Sequence, residues 1–131
     1  MTQAEIRFLE TRDLQRPFDQ TYEAAVNALF SMGLIIDHSD RSSGIITGTV
    51  GDYGHKASLS KRKQAKYHVK KVTLLITPRS PAETQVRMKV MVDEEQQLDR
   101  QLMTAVWQRI AREALLSDPP PGSRSAAPRR G

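Results

Sequence analysis

His38, His55 and His68 are the residues of this chain with the broadest chemical repertoire, as metal ligands or proton carriers. They fall in a turn, a loop and a strand, without the paired spacing that brings two imidazoles to one cation. Asp37, His38 and Asp40 are close in sequence, but Asp and Ser in such a cluster are first of all turn formers. Gly44, Gly48, Gly51 and Gly54 raise the question of a phosphate loop, yet they fit neither GxGxxG nor the Walker spacing, and no helix follows them. They read as turn and bulge glycines. No serine stands in a GxSxG elbow, no two carboxylates are offered on one scaffold, and there is no cysteine. The chain is therefore expected not to be an enzyme and to carry no cofactor and no metal.

What remains is charge. The net charge of +5 is concentrated between Tyr53 and Ala82, where no acidic residue occurs and Lys56, Lys61, Arg62, Lys63, Lys66, Lys70, Lys71 and Arg79 are all cationic. Together with Tyr67, the residues Lys56, Lys61, Arg62, Lys63, Lys66, Lys70 and Lys71 form the candidate binding surface, for nucleic acid, acidic lipid headgroups or an acidic partner. For nucleic acid only Tyr53 and Tyr67 are near enough to stack on bases. Lysines on an exposed loop and an edge strand also serve solubility and block edge pairing, and the composition favours that plainer reading.

The elements that would position this segment follow from periodicity. Residues Ala4 to Thr11 alternate, with Ile6 and Phe8 on one side, and predict a first strand. Arg16-Pro17-Phe18-Asp19 opens a helix, with proline at the first helical position and an acid near the positive dipole end. Phe18, Tyr22, Ala25, Leu29 and Met32 give that helix one apolar face, and Gly33 is placed to end it. Leu34–Ile36 and Gly44–Thr47 predict a hairpin around a polar turn; Val69–Thr77 and Thr84–Val92 predict a second. In the last strand Val86, Met88, Val90 and Val92 face one way, and Gln85, Arg87, Lys89 and Met91 the other. Asp93-Glu94-Glu95 is expected to start a final helix carrying Leu98, Leu102, Val106 and Ile110, with Trp107 as a core anchor beside Met103 and Ala114. Gly51 to Lys66 is expected to be a long mobile connection.

The predicted fold class is α+β: an antiparallel sheet of about five strands with two helices on one face, in the order β-α-β-β-β-β-α. It occupies residues 1–116 as a single domain. Residues 117–131, with three consecutive prolines and no aliphatic side chain larger than alanine, read as a disordered tail. No segment approaches the roughly 18 apolar residues of a membrane-spanning helix.

The run from Ile6 to Thr49 resembles a family of small, poorly characterised bacterial lipoproteins. The matching positions are Thr11-Arg12, Ala28-Leu29 with Met32-Gly33, Asp37, Ser39-Asp40 and Gly44-Ile45-Ile46, followed by the strand Thr84–Met88 and the helix with Trp107. The layout is also similar to the helix-grip domains of the lipoprotein that accompanies the outer-membrane β-barrel assembly machinery. The resemblance implies a non-catalytic scaffold on the periplasmic side of the outer membrane, with Met1 standing in place of a removed signal peptide. It further implies a tether through a lipidated cysteine outside this sequence, and a protein or envelope component as partner. The alternative is a cytoplasmic nucleic-acid-binding module that uses the basic segment 56–71.

Overall fold

β4 (His68–Ser80) and β5 (Glu83–Val92) are the longest strands and the spine of the molecule, paired from Lys70↔Val92 to Ser80↔Glu83 around a tight Pro81-Ala82 turn. The computed structural model describes residues 2–52 and 68–117. β3 (Ile45–Asp52) and β2 (Ile35–Asp40) extend the sheet on the β4 side, and β1 (Thr11–Leu14) closes it on the β5 side. The strand order is β1-β5-β4-β3-β2, all antiparallel, with the short β6 (Glu95–Gln96) also pairing with β5. The α+β class and the antiparallel sheet agree with the sequence pattern.

Alternation decides which face is covered. Val72, Leu74 and Ile76 of β4, Val86, Met88 and Val90 of β5 and Ile46 of β3 are all buried. They pack against Tyr22, Ala25 and Leu29 of α2 (Phe18–Ser31) and Met103, Val106, Trp107 and Ile110 of α3 (Arg100–Ser117). Each large side chain so buried contributes about 1.5–3 kcal/mol. Trp107 lies in this core, where its ring N–H donates to the Leu9 carbonyl at 2.8 Å, so its polar end is satisfied as well.

α2 stops where the sequence says it should. Gly33 has φ +92°, its N–H donates to the Phe30 carbonyl and the Leu34 N–H to that of Leu29, which together form a Schellman motif. Leu34 then folds back over Leu29. Gly48 makes room for that contact, because a Cβ there would lie 3.2 Å from Leu34 and 3.4 Å from Leu29. Gly48 does not end β3, which runs on to Asp52; the bulge sits instead at Asp37 on β2, between the pairs Ile36↔Gly48 and His38↔Thr47. Both strands of this hairpin are longer than predicted.

The turn between β2 and β3 is held by Asp40, whose carboxylate accepts from Ser42 Oγ (2.9 Å), Ser43 Oγ (2.9 Å) and the Ser42 N–H. The hydrogen bonds from Ser42 and Ser43 hold the Asp40 carboxyl below its ordinary pKa. From the same turn Arg41 reaches α2, pairing with Asp19 at 3.0 Å and Glu23 at 3.2 Å.

Two expectations are corrected. Residues Gln3–Glu10 form a helix, α1, in place of the strand predicted over Ala4–Thr11; the first strand is Thr11–Leu14, and the described residues hold three helices. Thr2 and Glu5 make a reciprocal capping box, and only Leu9 of α1 is buried, so the Ile6/Phe8 alternation has no sheet to serve. The final helix begins at Arg100 and not at Asp93. Asp93 (φ 52°) and Glu94 (φ 73°) are the two left-handed residues of a hairpin turn that brings Glu95 back onto Val92, and Asp99 is the true cap. α3 ends at Ser117, and residues 118–131 of the predicted tail lie outside the described residues.

Gly44 leaves less room for a side chain than Gly33 or Gly48. It has φ +79°, and a Cβ built on it would meet the Ile76 carbonyl oxygen at 2.1 Å, while its own carbonyl accepts from the Ile76 N–H. Gly33, by contrast, faces open space. We expect Gly44→Ala to cost roughly 3 kcal/mol or more, and Gly33→Ala only about 1–2, in urea denaturation. Equal losses would show that the approach to Ile76 is not the constraint.

Candidate functional site

β4 is the re-entry point of the basic segment, and its first residues decide what that segment can present. Of the predicted surface, Lys56, Lys61, Arg62, Lys63, Lys66 and Tyr67 lie outside the described residues; Lys70 and Lys71 are described. As neighbours in a strand they point to opposite faces. Lys71 is exposed on the face away from α2 and α3, opposite Thr49 and Met91. Lys70 stands opposite Val50 and Val92 on the helix side, where its ammonium meets Asp99 at 3.0 Å. Only 24% of the Lys70 side chain and 18% of Asp99 are exposed.

Asp99 does two things at once. One carboxylate oxygen accepts from the Leu102 N–H at 3.1 Å, capping α3, while the other pairs with Lys70, so the ion pair ties the start of α3 to the sheet. Lys70 is thus a structural cation, and Lys71 is the described member of the candidate surface that faces solvent.

Around Lys71 lies a groove of about 490 Å³ lined by Thr49, Val69, Lys71, Met91, Asp93 and Glu94. Its rim is built by Asp93, which bonds His68 Nδ1 at 2.7 Å and accepts from the Val69 N–H at 2.9 Å. Thr49 Oγ1 donates to Asp37 across the β2 bulge. Among the described residues, no group of three or more His, Cys, Asp or Glu is arranged to hold a metal ion, and His38 and His68 do not come together. His55 lies outside the described residues.

Beyond the groove the same face continues across the sheet. Its centre is Thr47, Thr73, Ile45, Leu75 and Met91, and its cations are Lys71, Arg87 and Lys89, the last paired with Glu10 of α1 at 3.2 Å. Among the described residues α2 and α3 leave it open, and α1 borders it at the β1–β5 edge, where Ala4, Ile6, Arg7 and Glu10 stand beside Gln85 and Arg87. Carboxylates stand at its margins, on Asp13 of β1 and Asp37 and Asp40 of β2. Sequence reasoning placed Arg87 and Lys89 on the outer face without adding them to the site. The signal was available in the alternation of β5, where Arg87 and Lys89 interleave with Val86, Met88 and Val90; in the sheet Lys89 stands one same-face row and Arg87 two rows from the Lys71–Met91 pair. Among the described residues, no strand contains Phe, Tyr or Trp, and the two strand histidines, His38 and His68, stand apart on β2 and β4.

No protein-family model matches the chain, and no curated protein matches it. Among solved structures it is similar to a DUF4468 family protein from Bacteroides ovatus, at 12% identity and a TM-score of 0.45, over 83% of this chain and 85% of that one. A likeness of that size transfers neither family nor function. The lipoprotein and helix-grip families suggested by the sequence are not shown by these comparisons.

The double role of Asp99 separates the two faces experimentally. Asp99→Asn keeps an N-cap and loses the carboxylate for Lys70; Asp99→Ala loses both, at a further cost of about 1 kcal/mol. Denaturation should rank wild type above Asp99→Asn above Asp99→Ala, whereas Lys71→Gln should stay within about 0.5 kcal/mol of wild type. A Lys71→Gln loss as large as that of Asp99→Asn would contradict the assignment of faces.

Proposed function

We propose that this chain is a non-catalytic interaction domain whose uncovered sheet face receives an extended acidic segment of a protein partner. The observation that carries this reading is the composition of that face: a threonine and aliphatic floor with Lys71, Arg87 and Lys89 exposed on the two central strands, and carboxylates confined to its border, at Asp93 and Glu94 beside Lys71, Glu10 beside Lys89, and Asp13, Asp37 and Asp40 on the outer strands. Same-face residues of a strand recur at about 6.6–6.8 Å. Arg87 and Lys89 therefore match the spacing of alternate side chains in an extended peptide, and the ion pairs would add orientation and association rate more than raw affinity.

The resemblance of Ile6–Thr49 to envelope lipoproteins supports a setting on the periplasmic side of the outer membrane, with the domain as a tethered scaffold. A nucleic-acid function for segment 56–71 would rest on the acid-free run itself. Among the described residues the strands add no Phe, Tyr or Trp on which bases would stack.

The test is a titration of a fluorescent peptide of alternating Glu and Thr, and of a single-stranded oligonucleotide, over a salt series. The peptide should bind at low salt, weaken as salt rises, and bind roughly tenfold more weakly to the Lys71→Gln, Arg87→Gln, Lys89→Gln triple variant, with stability nearly unchanged. Peptide binding indifferent to the triple variant, or an oligonucleotide that binds more tightly with a steep salt dependence, would overturn the proposal. The setting is tested by fractionating cells that express the complete gene product: acyl labelling and recovery with outer membranes are expected, and recovery in the soluble cytoplasm contradicts it.

A further inference from the structure

Arg12 is a half-buried cation with donors to spare. It stands opposite Val86 on β1 and so leaves the sheet on the helix side, at the corner where α1, β1 and α3 meet. Its guanidinium carbon lies 3.5 Å from the centre of the Phe8 ring and 5.1 Å from that of Trp107. Nε donates to the Phe8 carbonyl at 2.8 Å. A guanidinium has five N–H donors, and among the described residues the four on the two terminal nitrogens meet no acceptor. Burial pushes the Arg12 pKa down, as expected of a cation taken from water without a carboxylate in return.

Stacking fixes the plane of the guanidinium and leaves its outer edge free, which is the geometry that takes a carboxylate by two parallel hydrogen bonds. Arg12 lines a pocket of about 480 Å³, within the range of small-molecule sites. Ala4, Glu5 and Phe8 line it from α1, Arg100 and Thr104 from α3, and Leu9 and Arg12 complete it. Arg100 and Thr104 are one helical turn apart and share a face. Glu5 is already engaged: its carboxylate accepts from the Thr2 N–H at 2.8 Å and stands 4.0 Å from Arg100. Two guanidinium groups against one carboxylate leave the pocket one positive charge in excess, beside apolar surface from Ala4, Phe8 and Leu9.

We propose that this pocket binds a monocarboxylate with an apolar body, its carboxylate held edge-on by Arg12 and its body lying along Phe8 and Leu9. The site is separate from the outer sheet face and does not depend on the function proposed for it. The same chemistry could be supplied by a free organic acid or by the C-terminal carboxylate of a peptide.

Trp107 is the one tryptophan in the chain and touches the Arg12 stack, so its fluorescence reports on the pocket, with calorimetry as a second readout. The full chain is titrated with phenylacetate and with acetyl-alanyl-phenylalanine, each beside its neutral amide. At least one acid should bind on the order of a millimolar or tighter, its amide at least tenfold more weakly, and the tighter acid identifies the source. Arg12→Gln should weaken the acid roughly tenfold to a hundredfold, and Arg12→Lys, which keeps the charge but not the fork, by at least several-fold. Arg100→Gln lies outside the aromatic stack, so it tests the pocket even if Arg12 variants unfold; it should weaken the acid several-fold while the circular dichroism stays native. Failure of both acids to bind, amides binding as well as acids, or folded Arg12→Gln and Arg100→Gln proteins binding like wild type would overturn the proposal.

Discussion

Strict alternation along β4 and β5 is the constraint on which everything else rests. Val72, Leu74 and Ile76 against Val86, Met88 and Val90 place six large apolar side chains on one face, all essentially inaccessible to water. A slip of one residue in either strand would put lysines and threonines under the helices. Because the register is held this firmly, the two lysines that open β4 are forced apart: Lys70 to the helix side, where Asp99 receives it, and Lys71 to the open side. Charge that looks continuous in sequence is therefore divided between a structural pair and a surface.

The helices are tied to this sheet at their ends. α2 ends in a Schellman motif whose returning Leu34 fits over Gly48, α3 begins on an Asp99 cap that is also paired with Lys70, and α1 ends where its Leu9 carbonyl accepts the Trp107 N–H. Each of these contacts joins a helix terminus, with its unsatisfied backbone groups, to a side chain or turn elsewhere in the fold. They hold α2 and α3 on the covered side of the sheet, while α1 sits at its β1–β5 edge, where Glu10 reaches Lys89.

The sequence was most legible where one period ran unopposed. α2, its glycine stop and the faces of β5 follow from spacing alone, and the structure places Tyr22, Ala25, Leu29, Val86, Met88 and Val90 where the pattern puts them. It misled where two signals competed. Ile6 and Phe8 alternate like a strand, but Thr2 and Glu5 cap a helix, and so short a segment follows its cap. Asp93-Glu94-Glu95 looks like an acidic first turn, yet Asp93 and Glu94 adopt positive φ to turn the chain, and the cap lies six residues beyond Asp93 at Asp99. The site was legible only in part: a run of basic residues carries no information on faces until the register is known. Arg12, a single arginine in a short strand, carried no sign of its aromatic stack.

These features make the molecule a carrier of surfaces: one face closed by helices, the other open and cationic along its midline. The absence of cysteine allows the faces to be tested directly by installing single thiols at Lys71, Val72, Thr73 and Leu74 and measuring their labelling rates in the native state. Cysteines at 71 and 73 should react at close to the rate of an exposed thiol, and those at 72 and 74 only as fast as the protein unfolds. Uniform labelling along the four positions, or protection at 71 and 73 instead, would contradict the assignment of an open outer face.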